Sequence, residues 1–255
     1  TFINIAHLPH NELVEQLKQS STRTAILNET DTDPDPKILF DGMSRMIQSM
    51  LHRLYPMGEI PDYEPDPTKS FVSIAETKNT TPEAVLYDYM LENDGYAMGM
   101  MPIFNYVDGN HDVIREMLLH PQAVSGLSDG GAHCGMICDA SIPTFMLSHW
   151  TRDRTRGKKL PLEWIIKKQT NDTASLYGLN DRGTLHAGKR ADINVIDYNA
   201  LTLHGPKMAH DLPAGGRRLL QEATGYDYTI VAGTITRQSG QDTGQRPGRL
   251  IRGAR

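Results

Sequence analysis

Short apolar runs alternate with amphipathic helical segments through the middle of this 255-residue chain, and that alternation predicts an α/β fold with parallel strands. Two further observations shape the expectation. The apolar run AVSGL at 123–127 ends at Asp129, followed at once by Gly130 and Gly131. An acid on a turn at the C-terminal tip of a buried strand is where parallel α/β enzymes keep catalytic groups. Beyond Gly178 the pattern changes to short β-like runs at 191–197 and 228–236 between glycine and proline turns, which predicts a small β unit. A complete (β/α)8 barrel takes about 250 residues and eight strands. Only two or three candidate parallel strands precede Gly178, so part of such a TIM-type barrel is expected, with a division into 1–178 and 179–255.

In chain order, MSRMIQSMLHRLY places Met43, Met46, Ile47, Met50, Leu51 and Leu54 at three-and-four spacing, one buried helix face. The next segment, PMGEIPDYEPDPTKS, carries four prolines and is expected to be a long ordered loop, a kind of loop often functional in compact domains. Thr81-Pro82-Glu83 supplies a cap, a first-turn proline and an early acid for a helix ending near Gly95. An apolar segment at 98–106 comes next. Asp108-Gly109-Asn110 then starts the helix HDVIREMLLH, which Pro121 ends. Pro143 and Pro161 each start a helix. The second, PLEWIIKKQTNDTASLY, lines up Leu162, Ile165, Ile166, Gln169, Thr173 and Leu176 and stops at Gly178.

Composition excludes several classes. A formal net charge of −5 with scattered basic residues argues against nucleic acid as a partner; only the tail 246–255 is locally basic. No apolar run approaches the ~18 residues of a membrane span, and the first residues do not resemble a signal peptide, so a cytoplasmic protein is expected. Cys134 and Cys138 are too few for a disulfide framework. The chain starts at Thr1 without a methionine and is expected to be a piece of something longer.

Three chemistries compete for the turn at 125–133. In the first, Asp129 ligates a divalent ion and shuttles a proton from metal-bound water to a leaving amine. The ten histidines contain no His-x-His pair and no His-Glu-x-x-His motif, and His7 and His10 lie after no clear strand. In the second, Gly126-Leu127-Ser128-Asp129-Gly130 fits the Gly-x-Ser-x-Gly nucleophile elbow, making Ser128 a serine nucleophile, although the glycines at 130, 131 and 135 make a poor start for the helix that motif needs. In the third, His133, Cys134, Cys138 and Asp139 hold zinc in a small knot, against the plainer reading of two free thiols. His133, on the same turn as Asp129, and Asn105, after the apolar run 101–104, are candidate substrate contacts.

From Asp129 onward the motifs resemble the amidohydrolase superfamily, and within it the branch of N-acyl-D-amino-acid deacylases, or D-aminoacylases. The resemblance rests on SGLSDGGAH at 125–133, TNDTASLYGLNDRGTLHAGKRADINVID at 170–197, VAGTIT at 231–236 and TGQRPGRLIRG at 243–253. It extends to PDYEPDP, to NYVDGNHDVIREMLLHP and to LPAGGRRLL at 212–220. The resemblance implies a (β/α)8 barrel with an appended β-sandwich and one or two metal ions, usually zinc. It makes Asp129 the ligand from the last barrel strand, and leaves Arg182, Gly183, Gly188 and Asp192 structural. The remaining ligands of that family are not found, which implies that the chain is the C-terminal part of the barrel together with part of the sandwich. One departure bears on substrate: D-aminoacylases carry a His-Pro-Arg about ten residues after the aspartate, and here Cys138-Asp139-Ala140-Ser141 occupies that region. An acid there repels a substrate carboxylate.

The resulting expectation is a metal-dependent hydrolase of an amide or N-acyl C–N bond acting on a small molecule, inactive as this chain alone and completed by a missing N-terminal half or by self-association. The alternative is a non-catalytic interaction module, since half a barrel leaves strand edges and apolar surface to be covered.

Overall fold

A computed structural model describes residues 2–29, 48–126 and 133–252. Packing divides the chain into two units, Thr1–Gly58 with Asp62–His111, and Glu59–Pro61 with Asp112–Arg255.

The first unit is mainly helical. Helices α1 (Phe2–Ile5), α2 (His10–Lys18) and α3 (Ser20–Leu27) precede α4 (Phe71–Lys78) and α5 (Pro82–Met90), with a short turn α6 at Glu92–Gly95. The caps explain the starts of α4 and α5. Ser70 Oγ accepts the Ser73 N–H at 3.2 Å and Thr81 Oγ1 accepts the Ala84 N–H at 3.2 Å, each taking up a backbone donor that the first helical turn leaves over. Phe71, Ala75 and Val85 form a buried cluster with Leu54, Ile74, Leu86 and Tyr89 against it. The Tyr89 hydroxyl accepts the Met57 N–H at 3.1 Å and donates to the Met98 carbonyl at 3.0 Å. It thereby clamps the antiparallel pair β1 (Tyr55–Pro56) and β2 (Gly99–Met100).

Of the methionine stripe, Met43, Met46 and Ile47 lie outside the described residues; Leu51 is buried, as expected, in a 3-10 turn at Leu51–Arg53. The proline-rich segment leaves β1 at Pro56 as an ordered loop and forms a 3-10 turn at Pro67–Lys69, capped by Asp66 Oδ1 on the Thr68 N–H at 2.9 Å.

The second unit opens with α7 (Asp112–Leu119) and continues with α8 (Ile142–Ser148), α9 (Leu162–Lys167) and α10 (Thr173–Leu176). Its core gathers Met146, Leu147, Trp150, Leu160, Ile165 and Leu201. Pro143 lies in the first turn of α8 and Pro161 caps α9, as their fixed φ favours. The single helix expected after Pro161 is divided: a π-helical turn at Lys168–Asp172 separates α9 from α10, and a second at His149–Asp153 extends α8. Each π turn inserts extra backbone and rotates the next turn of helix about the axis. Ile165 is fully buried, while Leu176 beyond the turn is exposed; Ile166, expected on the same face, is exposed already before it. The chain turns at Gly178 in the left-handed region (φ 69), with the Leu179 N–H on the Ala174 carbonyl at 2.8 Å.

The C-terminal strands are β3 (Ile193–Ile196), β4 (Thr202–Leu203), β5 (Lys207–Leu212), β6 (Gly216–Leu220), β7 (Ala223–Thr224), β8 (Tyr226–Val231), β9 (Thr234–Gln238) and β10 (Gln241–Asp242). One four-stranded sheet runs β10-β9-β8-β3, and β4 pairs with β7 and β5 with β6. All strand pairs among the described residues are antiparallel. This corrects the expectation of parallel strands at 98–106 and 123–127: the first contributes only β2, and residues 123–126 join no ladder. A strand persists only where a neighbour takes its N–H and C=O groups. At 123–126 a lysine side chain, Lys168, takes the Ala123 carbonyl instead.

Asp192 has the structural role that the resemblance implies. Its carboxylate accepts the Ala232 N–H at 2.8 Å and pairs with Arg182 at 3.0 Å and Arg190 at 2.9 Å, tying the chain before β3 to the β8–β9 turn. Asp192→Ala is expected to lower stability by about 1–2 kcal/mol, read as a shift in the urea midpoint at unchanged slope. A shift within error would show that these contacts add nothing beyond solvent exchange. No helix among the described residues is long and apolar enough to cross a membrane.

Candidate functional site

Asp129 and Ser128 fall within 127–132, outside the described residues, so the site is built from its flanks. On the exit side His133 is exposed at φ 45, and its carbonyl accepts the N–H groups of Met136 at 2.8 Å and Ile137 at 3.0 Å, closing a tight turn. The next residues are stitched to β6. The Leu219 N–H donates to the Cys134 carbonyl at 2.7 Å, the Cys134 thiol points at the Arg217 carbonyl at 3.9 Å, and Ser141 Oγ donates to Gln221 Oε1 at 2.5 Å. Both cysteines are free thiols, and burial, with Asp139 adding to it, pushes the Cys138 thiol above its usual range. A thiol held protonated is a poor ligand and nucleophile. His133, Cys134, Cys138 and Asp139 do not gather three ligand atoms into one cluster, which removes the zinc-knot reading.

On the entry side, the Ala123 N–H donates to the His120 carbonyl at 3.0 Å, and the Ala123 carbonyl accepts Lys168 Nζ at 2.5 Å. Lys168 is 4% exposed, and its ammonium lies 4.8 Å from the Trp164 ring centroid. Burial holds this amine below the usual lysine range; Asp172 opposes the shift and Lys167 adds to it.

Elsewhere in the second unit, the His149 ring opens the first π turn, stacked on Phe145 at 4.5 Å and edge-on to Trp150 at 5.4 Å. Arg154, 1% exposed, sits over Trp150 at 4.9 Å and donates to the Lys158 carbonyl at 2.7 Å and to Asp112 at 2.8 Å. Beside it lies an open cleft of about 550 Å³ lined by Arg115, Glu116, His120 and Lys158. Charges of both signs line that cleft, so it selects neither anions nor cations.

In the first unit, Asn105 is exposed at φ 57 on a loop where Ile103, Phe104 and Val107 are also exposed. Arg53 anchors the loop by donating to the Ile103 carbonyl at 3.0 Å. Behind it lies a polar pair that sequence reasoning did not single out. Glu64 is 2% exposed, Glu64 Oε1 accepts the His111 backbone N–H at 2.7 Å, and a carboxylate oxygen and a His111 ring nitrogen lie within 4.8 Å. Tyr106 donates to the Pro65 carbonyl at 2.5 Å and meets the His111 ring edge-on at 5.1 Å. The signal was present: Glu64 belongs to the proline-rich loop and His111 opens HDVIREMLLH. A buried carboxylate beside an imidazole can exchange a proton or offer metal ligands.

No curated protein sequence matches the chain. A solved structure described as a D-aminoacylase that defines a novel subset of amidohydrolases is 22% identical, with a TM-score of 0.38; the match covers 77% of this chain and 37% of that one. The chain thus spans well under half the length of that protein. A model of the amidohydrolase family matches residues 93–237, more than half of the chain and the whole segment from Asn105 through Asp129 to His133. The chain belongs to the amidohydrolase family.

Proposed function

We propose that this chain forms the C-terminal part of a metal-dependent hydrolase that cleaves the C–N bond of a small linear amide or N-acyl compound in the cytoplasm. In this reading residues 1–178 belong to a (β/α)8 barrel and 179–255 to a β-sandwich. The observation that carries it is the family match over residues 93–237, a span that includes Asp129. Zinc held there would supply Lewis acidity and lower the pKa of a ligated water. Asp129 would hold the ion and carry a proton from the attacking water to the leaving amine. His133 fits a place beside it: the imidazole is exposed, and no described residue hydrogen-bonds its ring. A carboxylate is a donor that zinc accepts, and one ligand falls short of a full set, so further ligands complete the site. Asp139 comes after the turn as an acid, which favours an uncharged amide over an N-acyl amino acid on that side.

The test is zinc content after dialysis. The chain is expected to retain zinc and Asp129→Ala to lose it, with affinity falling at least about tenfold; equal zinc in both would sink the assignment of Asp129. In the intact enzyme that contains this chain, His133→Ala is expected to keep the metal and weaken substrate about tenfold, near 1.4 kcal/mol, read as a rise in KM at unchanged kcat. A fall in kcat alone would give His133 another role. Labelling of Ser128 by a fluorophosphonate, insensitive to chelator, would instead support the serine reading.

A second reading, the interaction module, is favoured by one observation: Ile103, Phe104 and Val107 expose 52%, 81% and 89% of their surface on one loop. Contiguous exposed apolar groups mark surfaces that a partner covers, here the N-terminal half or a second copy. A metal-free chain that self-associates, and does so less after Phe104→Ser, would support it.

A further inference from the structure

We propose that Lys168 is a positioning residue that fixes the chain entering the Asp129 turn by holding the Ala123 carbonyl. The proposal rests on the role given above to Asp129, six residues beyond Ala123.

Burying an ammonium is costly unless its protons are bonded. At position 168 an unbranched apolar chain would also pack on Trp164, without that cost. What lysine adds is a charged donor, and it delivers that donor to a backbone acceptor that no strand satisfies: Nζ lies 2.5 Å from the oxygen of Ala123. The neighbouring geometry holds both ends of this contact. Lys168 opens the second π turn, and π turns recur where a helix must aim a functional side chain. Thr173 Oγ1 donates to the Lys168 carbonyl at 2.9 Å, bracing the turn from below. Ala123 is also held through its own N–H by the His120 carbonyl, so both of its backbone groups are engaged by side chain or helix end rather than by a sheet. From there burial alternates, with Ala123 and Ser125 half-buried and Val124 and Gly126 exposed, the pattern of an extended segment led out from a fixed point. A reacting group must be held by its surroundings, and a carbonyl latch on the segment that leads to it is such a support.

The experiment compares the full chain with Lys168→Met, Lys168→Arg and the control Val85→Ala, which loosens the first unit. Backbone amide exchange at 124–126 and zinc affinity against a competing chelator are measured for each. Lys168→Met is expected to speed exchange at 124–126 about tenfold or more and to weaken zinc about tenfold; Lys168→Arg restores part of both, and the control moves neither. Unchanged exchange in a folded Lys168→Met chain overturns the proposal, as does faster exchange with zinc affinity intact. Should the Met variant fail to fold, Lys168→Gln carries the same two readouts. If the unaltered chain binds no zinc, the assignment of Asp129 fails, and the exchange measurements alone decide whether Lys168 is the latch.

Discussion

Gly225→Ala is expected to destabilise the second unit by about 3–4 kcal/mol, enough to lower its melting temperature by roughly 10 °C. Gly225 joins β7 to β8 at φ 96, a backbone conformation that L side chains rarely adopt. Its missing side chain also leaves the space that the neighbouring strand needs. A Cβ here would lie 2.6 Å from Leu201 Cα and 2.7 Å from Leu201 N, backbone atoms that cannot swing aside. Leu201 is wholly buried in the core with Trp150 and Ile165, so relief by displacement would open that core. The Asp197 N–H to Gly225 carbonyl bond at 2.8 Å is lost in the same movement. Strain and steric overlap act together, and calorimetry reads their sum. A variant melting within about 2 °C of the parent would show that β7 and β8 can part without disturbing Leu201.

Trp150→Ala is expected to cost about 4 kcal/mol, within the range for truncating a buried aromatic residue. Trp150 is 1% exposed at the centre of the cluster with Met146, Leu147, Leu160, Ile165 and Leu201. Its carbonyl accepts the Leu160 N–H at 2.7 Å, and its ring carries the Arg154 guanidinium at 4.9 Å. That cation has no exposed side-chain surface and relies on Trp150, the Lys158 carbonyl and Asp112 to offset its dehydration. Truncating the ring therefore leaves a cavity and removes the aromatic face under a buried charge. Such groups do not act independently. Arg154→Met is expected to cost markedly less in the Trp150→Ala background than alone, and additive costs in urea denaturation would show that the two side chains are uncoupled.

Local chemistry was legible in the sequence wherever one or two residues decide a backbone conformation. Thr81 caps α5, Pro143 and Pro161 open helices, and Gly178 turns the chain at the end of α10, because caps and fixed φ values act within a single turn. The change from helices to short strands beyond Gly178 was also readable from β-like runs between glycine and proline turns; their antiparallel pairing was not. The two π turns were not readable either, since their extra residue leaves the hydrophobic spacing nearly intact. Nor were the parallel strands correctly anticipated. An apolar run such as 123–127 marks a segment that can be buried, and whether it becomes a strand depends on a neighbour from elsewhere in the chain.

The candidate site divides in the same way. The Asp129 turn stood out because an acid before two glycines is a local pattern, and the family match confirms the resemblance that it suggested. Lys168, Arg154, Glu64 and His111 read as ordinary polar residues, yet each is nearly or wholly buried.

By itself the sequence determined the family, the helix boundaries set by caps and prolines, and the change to strands after Gly178. Only the tertiary structure decided which charges are buried and what they hold. Burial of a charge is a property of the neighbours brought around it, and a lysine in KKQT has no feature of its own that distinguishes a solvated ammonium from one held against a backbone carbonyl.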